Sequence, residues 1–306
     1  MFHQTADPAR PFVASATRED ALLDKLAKND VIFLGEHHNK ADDHNLQAEI
    51  IAGLSARRGS NNMAVGLEMV QVQYQPALDA YIAAEIKDDA AAEKALYDGV
   101  EWAERWQWSF EAYLPVFRLA RSRKIPLVAL NVDSASMEKV RFGGFENLPQ
   151  EARDRYVDDK KGFIQFAKTP GFVEYVEKVV MPSYEFHARM GLLGSNPSQV
   201  RKCATPPTSL SHAHTLSHTY SRFDSLCHSQ ANFYSSRILW DEGMSNVARR
   251  FVDKYESNKM IVVLEGADHV KFDMGSVGRM KRMAPKFQVC AVVQSLRAGL
   301  RAAALA

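Results

Sequence analysis

Five short apolar runs punctuate the chain: Val31–Leu34, Met63–Met69, Leu127–Leu130, Ile261–Leu264 and Phe287–Val293. Each has the length of a strand, and Val31–Leu34, apolar at consecutive rather than alternate positions, has the pattern of a strand covered on both faces. Between them the spacing is helical. Arg18 to Asn29 places Leu22, Leu23, Leu26 and Ala27 on one face behind Thr17 as a cap. Ala41 to Arg57 carries Leu46, Ile50, Ile51 and Leu54, with Gly59 just past its end. Gln75 to Ile86, Ala90 to Leu96, Tyr113 to Arg123 and Phe233 to Tyr255 continue the series. Strand, helix, strand over 31–69 is a βαβ unit, which implies a right-handed crossover in a parallel sheet. The pattern predicts an α/β fold: a mainly parallel sheet flanked by helices, with a helical subdomain inserted after the second strand and after the third. One domain is expected over 17–293, its helical subdomain formed by 73–122 and 134–199. The first two strands are expected to be neighbours. Residues 1–16 read as a loose lead-in, and the alanine-rich end of the chain as a frayed helix.

Composition narrows the class of function. The 306 residues are 46% hydrophobic and 25% charged, ordinary for a globular protein. Thirty-eight bases against 37 acids leave a formal charge of +1, so electrostatics give no case for a nucleic-acid partner. No apolar run has the length of a transmembrane segment, and Met1 to Asp20 lacks the apolar core of a secretory signal. Three cysteines do not make a disulfide framework. The expected setting is soluble and intracellular, in a reducing compartment, or an organelle such as a plastid if an N-terminal address has been lost.

Residues 200–230 differ from their surroundings. Ser, Thr, His, Leu and Pro dominate, as in Ser209-Leu210-Ser211-His212-Ala213-His214. A histidine-rich metal segment and a long structureless loop are two readings. A third fits the codons: Gln199-Val200-Arg201-Lys202 can be encoded as a splice donor, and Cys227-His228-Ser229-Gln230 as a pyrimidine tract ending in a splice acceptor. The segment is therefore expected to be a retained intron of a eukaryotic gene, whose removal keeps the frame and joins Gln199 to Ala231. Sequencing the mature transcript across the junction decides it.

The chemistry gathers at the strand ends. Val31–Leu34 runs into Gly35-Glu36-His37-His38, and Ile261–Leu264 into Glu265-Gly266-Ala267-Asp268-His269. The second run carries Glu68 after Gly66. The carboxyl rim of a parallel sheet is where ligands bind, and G-x-x-H recurs at two strand ends. Gly35 is expected to let the chain turn there. Histidines and carboxylates at one rim can hold a divalent metal, with His38, Glu68 and His269 as ligands and Glu36 as base. They can instead form an acid–base pair with Glu36 and His38 as catalytic groups. Or a histidine can meet haem iron axially. His44 and Glu49, on the helix that follows, are expected to face solvent or to support the site from behind. Trp102, Trp106, Trp108, Phe110 and Tyr113 crowd into a dozen positions; they read first as a mini-core joining helices and second as a wall for a flat apolar ligand. No P-loop, dinucleotide fingerprint or nucleophile elbow competes.

The ordered set Val31-Ile-Phe-Leu-Gly-Glu-His-His-Asn39, Gly66-Leu-Glu-Met69, Tyr113-Leu-Pro-Val-Phe117, Ile125-Pro-Leu-Val-Ala-Leu-Asn131, Leu239-Trp-Asp-Glu-Gly-Met244 and Gly266-Ala-Asp-His-Val270 resembles the ChaN-like proteins of the haem-binding-uptake/Tiki superfamily. The resemblance runs from about residue 20 to 285, broken by 200–230. It implies a parallel α/β core with a helical subdomain, haem as cofactor, a role in haem or iron handling, and a homodimer holding haems face to face. The positions that match the family's elements are Glu36, His38, Glu68 and His269, and no local motif fixes a haem-ligating tyrosine. With haem as the ligand, the two rim histidines His38 and His269 and the aromatic wall residues Trp106 and Tyr113 are the expected haem-contacting residues. More distant relatives, the Tiki metalloproteases and erythromycin esterases, use G-E-x-H and G-x-x-H elements for hydrolysis. They make a metal-dependent hydrolase at Glu36, His38, Glu68 and His269 the alternative. The 306-residue sequence departs from bacterial ChaN in lacking a lipoprotein signal, which puts the family's role at a cell envelope in doubt.

Overall fold

Burial on both faces selects which strands lie inside the sheet. A computed structural model of the chain describes residues 19–85, 88–189, 228–255 and 258–293. The expected lead-in at 1–16, the alanine-rich end and the insert as far as 227 lie outside the described residues. The five apolar runs form β1 (Val31–Glu36), β2 (Met63–Gln71), β3 (Leu127–Asn131), β4 (Met260–Gly266) and β5 (Val289–Val293). They make one sheet in the order β3-β2-β4-β1-β5, parallel at every pairing. The interior strands β2, β4 and β1 are buried along their whole length, whereas β5, at an edge, is half-buried. Apolar residues at consecutive positions suit a strand with helices on both faces.

Two expectations are corrected. β1 and β2 are not neighbours, because β4 lies between them and pairs with both. A crossover that skips one position is sterically as good as one that does not, and β4 is itself apolar from Met260 to Leu264, so it takes the central place. Gly35 also makes no turn. It is an extended residue of β1 paired with Glu265. Its missing Cβ lets the chain after β4 approach closely, since a Cβ there would lie 3.1 Å from the Ala267 Cα and 3.2 Å from Val270.

The chain forms two compact units. The first comprises residues to Asn131, Val247–Lys271 and the chain from Ala284, and holds the whole sheet. Its helix Ala41–Arg58 has Asp42 and Asp43 in the first turn and Arg57 and Arg58 in the last, complementing the helix dipole, and it stops at Gly59 with φ +82°. The helix Phe110–Ser122 buries Tyr113, Val116, Phe117 and Ala120, one stripe at helical spacing. Trp102 packs edge-on to Phe110, Tyr113 and Phe117. These aromatics are a mini-core.

The second unit comprises Val132–Asn246 and Phe272–Met283 and is helical. Its elements include Ser134–Gly143, Gln150–Tyr156, Lys160–Phe166, Pro170–Tyr175 and Ser276–Met283. Arg279 is fully buried there and gives Nη1 to Glu242 Oε2 at 2.8 Å. Its guanidinium also lies 5.1–5.4 Å from the ring centres of Phe163, Phe166 and Phe172. A buried cation is tolerable when a carboxylate and aromatic faces replace its water. Asp133 caps Ser134–Gly143 by accepting from the Ser136 amide at 2.8 Å, and its other oxygen accepts from the Tyr156 hydroxyl at 2.7 Å.

Candidate functional site

Glu36 and Gly266 close β1 and β4 and stand opposite one another in the register. Glu68 lies on the far side of β4, one residue past the last β2–β4 pair, Leu67 with Leu264. Two strand spacings of about 4.8 Å put β1 and β2 roughly 10 Å apart. Glu36 and Glu68 therefore stand on strands either side of β4; His38 and His44 meet Glu36, and His269 meets Glu68.

His38 gives Nδ1–H to Glu36 Oε1 at 2.9 Å. The same oxygen accepts from the Tyr113 hydroxyl at 2.5 Å, and Oε2 accepts from Gln47 Nε2 at 2.8 Å. His44 Nδ1 approaches Oε2 at 3.4 Å. Glu36 thus faces four donors from three elements, and its side chain is fully buried. Burial alone would raise its pKa. The hydrogen bonds from His38 and His44 and their charges outweigh burial, and hold the carboxyl well below the usual carboxylate range. Glu36 is an anion held in place.

The protonation of His44 follows from what its nitrogens face. Nε2 lies 3.2 Å from the His38 carbonyl, and Nδ1 faces the Gln47 amide oxygen at 3.3 Å as well as Glu36. The Gln47 amide cannot be turned over, because its nitrogen donates to Glu36 and approaches the Leu34 carbonyl. Both ring nitrogens of His44 therefore meet acceptors, which only an imidazolium satisfies. Burial works against that charge, but the hydrogen bond and charge of Glu36 raise the pKa above its ordinary value.

His38 is the partly open residue of the set, its side chain 22% exposed. The ring meets Trp106 edge-on with centres 5.0 Å apart, and Trp108 lies tilted at 5.6 Å. With Nδ1–H fixed on Glu36, the neutral ring carries its lone pair on Nε2, which has no hydrogen-bonding partner among the described residues. Nε2 sits over Gly266, where a Cβ would lie 2.9 Å away. Burial lowers the His38 pKa, but the Glu36 hydrogen bond and the Glu68 and Glu36 charges raise it overall.

Glu68 is fully buried. Its Oε2 accepts from the Gly266 amide, so a side chain takes over where the β2–β4 ladder ends, and Oε1 lies 3.3 Å from His269 Nε2. Asn131, at the end of β3, gives its side-chain amide to the Glu68 carbonyl at 2.7 Å. Burial raises the Glu68 pKa, while the charge and hydrogen bond of His269, the His38 charge and the Gly266 amide lower it below the ordinary value.

The structure therefore places His38 with Glu36, Trp106 and Tyr113, and His269 with Glu68, and both histidines border Gly266, where a Cβ would lie 2.9 Å from His38 Nε2 and 3.5 Å from His269 Cδ2. It does not bring His38, Glu68 and His269 together as one ligand set. Among the described residues no three His, Cys, Asp or Glu side chains form a group able to hold a metal ion. A haem would need one donor to its iron, and His38 Nε2 could supply it: the imidazole is oriented by a carboxylate, partly open and bordered by two indoles. Tyr113 is fully buried with its hydroxyl on Glu36, and burial together with the Glu36 charge keeps it protonated. Sequence reasoning places His44 facing solvent or behind the site and does not single out Gln47; the signal that could have found both is spacing, since 44 and 47 extend the stripe of Ile51 and Leu54 by three- and four-residue steps, all four buried. Asp43 is a further partner: it takes His37 Nδ1 at 2.9 Å and the His37 amide at 2.8 Å.

Comparison with known proteins agrees with this architecture. The structure of ChaN from Campylobacter jejuni, described as binding haem cofacially, aligns with a TM-score of 0.61 at 16% identity, over 93% of this chain and 88% of that one. At that identity the likeness is one of fold. A mutant of erythromycin esterase EreC in its open conformation aligns at a TM-score of 0.45 and 13% identity, over 89% of this chain and 71% of that one. No curated protein matches the chain significantly. Residues 22–280 match the family model for haem-binding uptake, Tiki superfamily, ChaN, and the chain belongs to that family.

Proposed function

We propose that the chain binds haem and serves haem or iron handling, with His38 Nε2 as the donor to iron. The observation that carries this reading is the state of His38. One nitrogen is tied to a buried carboxylate, the other is free of hydrogen bonds among the described residues, and two indoles border the ring. A carboxylate behind a ligating imidazole fixes its tautomer and increases its basicity. When bound, haem would supply iron as the Lewis acid, which His38 would hold through Nε2. The chain's own residues orient the ring through Glu36 and offer apolar surface through Trp106 and Trp108. In this arrangement Glu36 positions His38, because both of its oxygens are already occupied. Tyr113 acts through Glu36. Membership of a family described by haem binding supports the same ligand, and the cofacial haem described for the Campylobacter protein extends the proposal to a homodimer.

The test is a haemin titration of the purified full chain. A Soret shift that saturates in the wild type and is lost in His38→Ala, with the thermal melt of the ligand-free protein retained, is the expected result. A wild-type chain that produces no Soret shift would sink the reading. The metal-dependent hydrolase gains no support from the described residues, which hold no three-ligand group.

A further inference from the structure

The carboxylate behind His38 is shared to an unusual degree. A buried Glu hydrogen-bonded only to an imidazole N–H pulls on that proton, and the pull makes the far nitrogen a stronger donor to a metal. Here Glu36 Oε1 is divided between His38 Nδ1 at 2.9 Å and the Tyr113 hydroxyl at 2.5 Å. Oε2 is divided between Gln47 at 2.8 Å and the His44 imidazolium at 3.4 Å. None of Tyr113, Gln47 and His44 is open to solvent, and the His44 ring lies against Tyr113 with centres 4.0 Å apart. These donors come from the helix Ala41–Arg58 and the helix Phe110–Ser122, outside the strand ends that carry the G-x-x-H elements. Such an arrangement does more than satisfy a buried charge. Each added donor draws electron density from the carboxylate and weakens what is left for His38, as expected when several donors compete for one acceptor in a low-dielectric site.

We propose that Tyr113, Gln47 and His44 are positioning residues that set the donor strength of His38 by sharing Glu36. Nε2 would thereby be held in orientation while part of the pull of Glu36 is diverted from His38, leaving it a weaker donor than an unshared carboxylate would make it. The consequence for iron rests on the haem reading above; the sharing itself does not.

Tyr113→Phe removes one competing donor with almost no change in shape, so it separates the two. In the ligand-free protein, a one-bond proton–nitrogen correlation of the His38 ring reports the Nδ1 proton directly, and long-range correlations report the tautomer. That proton should move downfield in Tyr113→Phe as the bond to Glu36 strengthens, with the tautomer unchanged. In the haem complex the reduction potential should fall relative to the wild type, because a stronger donor favours ferric iron. Gln47→Met acts on the other oxygen and should move both readouts in the same direction, which keeps the test open if one variant fails to fold. A purely structural role would lower the melting temperature and leave both readouts where they were. An unmoved Nδ1 proton in a folded variant overturns the sharing, and so does one that moves upfield. A potential that is unchanged or rises, while the proton does move, overturns the consequence for iron. Failure of the wild type to bind haem removes the haem reading alone, since the NMR arm still decides the sharing.

Discussion

His44 is a buried cation paired with a buried anion, and that has a consequence for stability against pH. The Glu36 carboxyl is held below its ordinary 4.5, so its contribution to folding is complete above that pH and is lost as pH falls through the lowered native value. His44 is held above its ordinary 6.5, so its contribution is complete below 6.5 and is lost as pH rises through the raised native value. The couple therefore stabilises the ligand-free protein most between about pH 4.5 and 6.5, with a decline on each side. Denaturant melts of the wild type and of His44→Gln across that range check this. The variant should lose the alkaline decline that His44 causes, as well as part of its stability in the central window. Equal loss at every pH would mean that His44 is neutral, against the geometry of its two acceptors.

Between residues and the whole molecule, close approach of elements governs the site. The short helix Ala267–Val270, which carries His269, is seated on β1 because Gly35 has no side chain. In Gly35→Ala the new methyl would meet the Ala267 Cα at 3.1 Å, a backbone atom that cannot swing aside. The expected cost is about 1–3 kcal/mol, typical of overpacking, read as a lower denaturant midpoint and a displaced His269 resonance; an unchanged midpoint would refute the packing argument. The same position shows what a sequence can and cannot give. Apolar runs of strand length mark all five strands; burial on both faces accounts for those of β1, β2 and β4, whereas β5 is half-buried at an edge. Strand order leaves no such signature, because β4 pairs with β1 and β2 through backbone groups that every residue has. Glu36, His38, Glu68 and His269 were legible as polar residues ending apolar runs. Their division into two couples was not, because it depends on β4 standing between β1 and β2. Gln47 was hidden for another reason: a polar residue on a helix stripe reads as solvent-facing until its neighbours show it buried.

At the scale of the molecule, the two units give a ligand that binds at the sheet rim a local signature. A ligand that binds the folded form and not the unfolded one stabilises the cooperative unit that contains its site, by about 2.7 kcal/mol when free ligand is a hundredfold above Kd. Glu36, His38, His44, Tyr113, Glu68 and His269 all lie in the unit that holds the sheet. The chain's formal charge of +1 offers no strong overall field to draw an anionic porphyrin to other surfaces. Hydrogen exchange with and without haemin at that excess should therefore slow the amides of β1, β2 and β4 about a hundredfold where exchange needs opening of that unit. The amides of Gln150–Tyr156 and Pro170–Tyr175, in the helical unit, should slow only as far as the two units open together. His38→Ala should cancel the protection in both. Haemin bound without added protection in β1 and β4 would move the binding site away from the sheet rim, and a gain confined to the helical unit would place it there.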